Sequence, residues 1–156
     1  DDAEIDVFRE EGLPAEIVEA DGQAATVEAV RRQLHRLTVD ERVPEFRIAV
    51  LSGTTPTRSA VWAQRKFGNV VLWNEALDES GRSKGLPPEE VPDEPADVVL
   101  FESIRRFKGL EREVIVLCEL PEDASRLDQL LYVALTRATT HVVVIAPPAL
   151  AQRMRG

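Results

Sequence analysis

A chain of 156 residues, 44% hydrophobic and 30% charged, fits one soluble globular domain large enough to bury its own core. Its longest apolar runs, such as VVVIAPPALA, are too short and proline-broken to span a bilayer, no secretory leader opens it, and its single cysteine excludes a disulfide framework or a cysteine metal site. The net charge of −9 does not exclude a polyanion, because residues 1–28 hold ten acidic side chains against Arg9 alone while the other 128 residues carry eighteen of each sign.

In chain order, AEIVEA (15–20) reads as a strand. AATVEAVRRQLHRL reads as a helix with Val27, Val30, Leu34 and Leu37 on one face and Arg31, Arg32, His35 and Arg36 outside. FRIAVLSG is a strand, followed by a helix over TTPTRSAVWAQRKFGN with a threonine cap, Pro56 in the first turn and Gly68-Asn69 as its stop. NVVLW, DVVLF and EVIVLC are further buried strands. Residues 75–97 hold four of the ten prolines and little apolar content, and are expected to be a surface linker. A helix over 125–139, a strand over 141–146 and a short tail helix complete the chain. Cys118, in a strand, is expected to pack as a small hydrophobe, and a reducing, cytoplasmic setting follows. The acidic stretch 1–28 is expected to be a solvated edge, with a DNA mimic or partner site as the alternative. The chain begins DDAEIDVF and its only methionine is Met154, so a piece of a longer chain is expected.

This alternation of strands and helices predicts an α/β fold with a mostly parallel sheet and helices on both faces, in a single domain over 1–156. Ligands of such sheets sit at the carboxyl ends of the strands, here SGTT and ESIRRF. Within the last long helix Leu127, Leu130, Leu131, Ala134, Leu135 and Ala138 form a core stripe, and Arg137 lies on its flank. That arginine either complements the helix dipole or serves as a fixed cation for a phosphate at the ligand edge. In SIRRFKGLER, Ile104, Phe107 and Leu110 are expected to pack inward while Arg105, Arg106 and Lys108 face out. Gly109 allows a close backbone approach or a left-handed turn, and Glu111 could accept hydrogen bonds from a sugar hydroxyl. The alternative is a solvated basic turn. His35 and His141 have no metal-ligand spacing.

Taken together, SIRRFKGLEREVIVL and LLYVALTRATTHVVVI resemble motifs V and VI of superfamily 1 helicases of the UvrD/Rep type, roughly T-[IVL]-H-x-x-K-G-L-E and Y-V-A-[LVM]-T-R-A-x-x-x-[LVI]. RIAVLSGTT is similar to the same family's IAVLxRT segment, so the resemblance spans roughly residues 46–146. It implies a RecA-like second motor domain, with ATP held between two such domains and single-stranded DNA crossing the top of both. Arg137 then matches the motif VI arginine that reaches the γ-phosphate, and Gly109 and Glu111 match positions beside the phosphates and ribose. Ser103 and Arg105 match the Thr and His of motif V near the DNA path. Gly53 stands where the family often has arginine, leaving Thr54 as the matching residue, and Tyr132 matches an aromatic position expected to pack.

No G-x-x-x-x-G-K-[ST] and no acidic magnesium box occur in the sequence. ATP and Mg2+ would therefore be held mainly by an N-terminal RecA-like domain of the same chain, and this segment alone should not hydrolyse ATP. The resemblance implies an ATP-dependent DNA helicase or translocase, of 3′ to 5′ polarity if it follows that branch. Two alternatives stay open: an α/β interaction module, and a helicase-derived nucleic-acid binder without ATPase function.

Overall fold

The computed structural model describes residues 15–107, 110–121 and 124–155, so the expectations for residues 1–14 and for Lys108 and Gly109 fall outside it. The strands are β1 (Ala15–Glu19), β2 (Ile48–Ser52), β3 (Lys66–Phe67), β4 (Val70–Trp73), β5 (Val99–Ser103), β6 (Arg112–Cys118) and β7 (Ala138–Ala146). The helices are α1 (Gln23–His35), α2 (Ala60–Gln64), α3 (Ala124–Arg137) and α4 (Pro148–Arg155). The strands form one sheet in the order β1-β7-β6-β2-β5-β4-β3. Every pairing is parallel except the β3–β4 hairpin.

Both faces of the sheet are covered because its central strands carry consecutive apolar residues, IAVL in β2, VLF in β5 and VIVLC in β6, and alternate residues enter opposite cores. Ile48 and Val50 of β2 join Val114, Val116 and Cys118 of β6 under α1 and α2. Ala49 and Leu51 join Ile115 and Leu117 under α3 and α4. The stripe read along α3 is fully buried on that second face, from Leu127 at 3% exposure to Ala138 at 7%. Cys118 is buried, and that burial pushes its thiol pKa well above the ordinary value.

Three expectations are corrected. The helix read over residues 54–69 is a 3-10 turn (Pro56–Arg58) followed by the five-residue α2, and its cap is Ser59, whose hydroxyl accepts from Trp62 N at 2.9 Å. Gly68-Asn69 is a two-residue hairpin turn between β3 and β4, with Gly68 at φ 64, and does not end a helix. Lys66-Phe67 and Val70-Val71 can pair across it, and tertiary pairing outweighs the helical propensity. Finally, α3 passes into β7 without a loop, so that strand begins at Ala138, three residues before the expected start.

The segment between β4 and β5 is mostly exposed but attached at two points. Near its start, Leu77 enters the core, Trp62 Nε1 donates to the Asp78 carbonyl at 3.2 Å, and Gly81 packs where an added Cβ would lie 2.5 Å from the Pro56 backbone. Near its end, Glu94 pairs with Arg112 at the start of β6. Among the described residues no helix is long and apolar enough to cross a membrane.

Candidate functional site

At the carboxyl edge, β2 and β5 end side by side, Ser52 opposite Ser103. Beyond them opens a cleft of about 430 Å³ lined by Thr54, Ser103, Arg105 and also by Arg58, Arg106 and Arg126. The three candidate nucleic-acid contacts thus share one wall. Ser103 is nearly buried, with 8% exposure, whereas Arg105 and Arg106 are exposed. Beneath the cleft, the Glu119 carboxylate accepts hydrogen bonds from Ser52 Oγ at 2.8 Å, Ser59 Oγ at 2.6 Å and Ala60 N at 2.9 Å. Ser52 Oγ in turn accepts from Thr54 N at 3.1 Å, which ties the Thr54 loop to the end of β6.

Gly53 is required by this arrangement. A Cβ there would meet the Glu119 carbonyl oxygen at 2.6 Å and Pro121 Cδ at 2.9 Å. The family's frequent arginine therefore has no room at this position.

Arg137 and Glu111 lie elsewhere. Because α3 starts beyond the carboxyl end of β6 and feeds the parallel β7, it must run back along the sheet, and its last residue arrives at the amino edge. Arg137 is accordingly not at the rim of the carboxyl edge, as the sequence reading had it. Arg112 pairs with Ala138, ~5 Å away across the sheet, so Glu111 and Arg137 are the residues that lead into this pair from the two chains. A register irregularity follows at once: β6 advances from Arg112 to Val114 while β7 advances from Ala138 to His141. Such bulges re-aim the side chains beside them. With seven residues in β6, the two edges are roughly 20 Å apart.

A groove of about 450 Å³ joins them along α3, lined by Arg105, Arg126, Leu130, Val133 and Arg137. Arg126, Leu130, Val133 and Arg137 share one helical face, since eleven residues make about three whole turns. The Arg137 Nε is buried with no acceptor. Among the described residues, no carboxylate pairs with Arg58, Arg105, Arg106, Arg126 or Arg137, and none lines the cleft or the groove. By contrast Arg31, Arg32, Arg36, Arg47, Arg112 and Arg155 each pair with a glutamate. In a chain of net charge −9, these five guanidinium groups around two adjoining clefts make a locally cationic surface.

At the amino edge Arg112 is doubly engaged. It pairs with Glu94 and donates from Nη1 to the Glu111 carbonyl at 2.9 Å. Burial pushes the Glu94 carboxyl above its ordinary pKa, with Arg112 opposing that shift. Leu110, expected inside, is 43% exposed because it precedes the first β6 residue and lies past the sheet. Tyr132, expected to pack, is 51% exposed on the outer face of α3. Ile104 and Phe107 are buried as expected.

Sequence reading missed Arg58 and Arg126 as cleft residues, along with Glu119 and the Glu94–Arg112 pair. The eleven-residue interval between Arg126 and Arg137 was a usable signal for the shared groove. Nothing in the spacing of Glu119 or Glu94 reveals partners that are distant in sequence.

Against known proteins, residues 99–145 match the family model of the UvrD-like helicase C-terminal domain. No curated protein matches the chain. Among solved structures, the C-terminal domain of a possible DNA helicase from Lactobacillus plantarum WCFS1 aligns with a TM-score of 0.56 and 20% identity, covering 97% of this chain and 90% of that one. The chain is therefore similar in sequence to UvrD-like helicase C-terminal domains over the segment bearing the two motifs, and in fold to that solved helicase domain over nearly its whole length.

Proposed function

We propose that this domain is the second motor domain of an ATP-dependent DNA helicase or translocase, with its amino edge facing nucleotide and its carboxyl edge facing single-stranded DNA. The observation that carries the reading is the set of uncompensated arginines, with Arg137 beside Glu111 at one edge and Arg105 beside Thr54 and Ser103 at the other. Arg137 fits an anion delivered from outside the domain, since its half-buried guanidinium has a buried Nε without an acceptor. A guanidinium in that setting can meet phosphate oxygens in a fixed fork. Glu111 is exposed and can accept from a sugar hydroxyl. On this reading ATP and Mg2+ are held mainly by the N-terminal RecA-like domain, whose phosphate loop and acidic magnesium box have no counterpart motif in this sequence.

Phosphoryl transfer places negative charge on the transferred group's oxygens, and a cation supplied across a domain cleft stabilises that charge. An arginine in this role contributes roughly 10³ to 10⁵ in rate, about 4 to 7 kcal/mol. The helix-dipole role, at about 0.3 to 1 kcal/mol, is far smaller, and Arg137 fills it too as the basic residue of the last turn. Because Arg137 must be brought to the phosphate by domain closure, nucleotide occupancy would be linked to relative domain motion and hence to stepping along DNA.

The test is single-stranded-DNA-stimulated ATP hydrolysis by the full-length protein, wild type against Arg137→Ala, with folding checked by circular dichroism. Turnover is expected to fall by about two orders of magnitude or more while nucleotide binding is largely kept. Unchanged turnover, or no DNA-stimulated hydrolysis in the wild type, would return Arg137 to its helix-dipole role.

A further inference from the structure

We infer that Glu94, acting through Arg112, is a positioning residue for Glu111: the segment between β4 and β5 is a strap that sets the geometry of the amino edge. The inference rests on the reading of Glu111 as a nucleotide contact. Arg112 has one guanidinium nitrogen on the Glu94 carboxylate and another on the Glu111 carbonyl, 2.9 Å away. The ion pair therefore fixes the backbone immediately beside Arg137, because Arg112 is also the residue paired with Ala138.

Two features favour positioning over simple anchorage. Both side chains are largely withdrawn from water, Arg112 at 17% and Glu94 at 18% exposure. Yet Glu94 Oε1 and Arg112 Nε are buried without hydrogen-bond partners. A half-satisfied buried pair contributes little net stability, so its main effect is on where the attached backbone is held. The location also matters, since Arg112 sits where the β6–β7 register breaks. A bulge leaves backbone there unpinned by the regular ladder, and the guanidinium supplies the missing restraint.

A single lost hydrogen bond sets the size of the effect. In the full-length protein, Glu94→Gln is expected to raise the KM for ATP by about two- to tenfold with kcat and single-stranded DNA affinity kept. Amide hydrogen exchange across residues 110–113 should accelerate in the same variant. The charge-reversed double variant Glu94→Arg/Arg112→Glu separates positioning from anchorage. It can re-form the ion pair and recover Tm, but a carboxylate at position 112 cannot donate to the Glu111 carbonyl, so KM should stay raised.

Unchanged exchange in Glu94→Gln, or recovery of KM together with Tm in the double variant, overturns the inference. Accelerated exchange with an unchanged KM has a different meaning. It would leave the strap's hold on Glu111 intact and remove Glu111 from the nucleotide site, which is a failure of the functional reading. Arg137→Ala, run alongside, reports on the motor role separately.

Discussion

Gly53 and Glu119 show how single residues shape the carboxyl edge. Glu119 adopts φ 54, an uncommon conformation for a residue with a side chain, and spends it on a carboxylate that gathers two buried hydroxyls and a helix N-terminus. The turn brings its carbonyl so close to Gly53 that even one methyl would have to displace backbone. Gly53→Ala is therefore expected to destabilise the domain by about 1 to 3 kcal/mol, read as a lowered midpoint in urea unfolding. A neutral outcome would mean that the Glu119–Pro121 turn can shift, and that Thr54 is held less firmly than its bond to Ser52 implies.

At the scale of elements, α3 carries two faces with different tasks. Leu127, Leu131, Ala134 and Leu135 fill the core, while Arg126, Leu130, Val133 and Arg137 line the groove, and Leu130 borders both. The short turn after β5 supplies Arg105 and Arg106, and the turn after β2 supplies Arg58. Among the described residues no aromatic side chain lines this cleft, which offers cations for a phosphate backbone. If single-stranded DNA lies in it, each Arg→Gln change at Arg58, Arg105, Arg106 or Arg126 should reduce the salt dependence of binding by roughly 0.7 in the log–log slope, equally for different homopolymers. A strong base preference, or slopes that do not move, would place the strand elsewhere.

Across the whole molecule, the parallel sheet holds the two candidate sites at opposite ends of the same strands. β6 spans that distance as a rigid, doubly buried element, with Cys118 at the end near Thr54 and Arg112 at the end near Arg137. The sites lie roughly 20 Å of strand apart. Without nucleotide-driven domain closure they should act independently. Without nucleotide, the single-stranded DNA affinity of the Arg105→Ala/Arg137→Ala double variant is expected to match that of Arg105→Ala alone within about 0.5 kcal/mol, measured by equilibrium titration. Larger coupling would indicate that the groove along α3 transmits occupancy between the edges.

What the sequence determined by itself was local or periodic. Continuous apolar runs marked the buried strands, the 3.6-residue stripe from Leu127 to Ala138 marked the core face of α3, and the alternation of elements implied a parallel sheet. Motif order placed Glu111 and Arg137 in one family pattern before either was located in space. Tertiary structure decided the rest. Whether Gly68-Asn69 ended a helix or turned a hairpin depended on β4 being available to pair with Lys66 and Phe67, a contact that no local propensity encodes. Which edge receives Arg137 depended on the direction in which α3 must run to feed β7 in parallel. The partners of Glu119 and Glu94 lie far off in sequence, and their energies exist only once the strands have brought backbone, hydroxyls and guanidinium together.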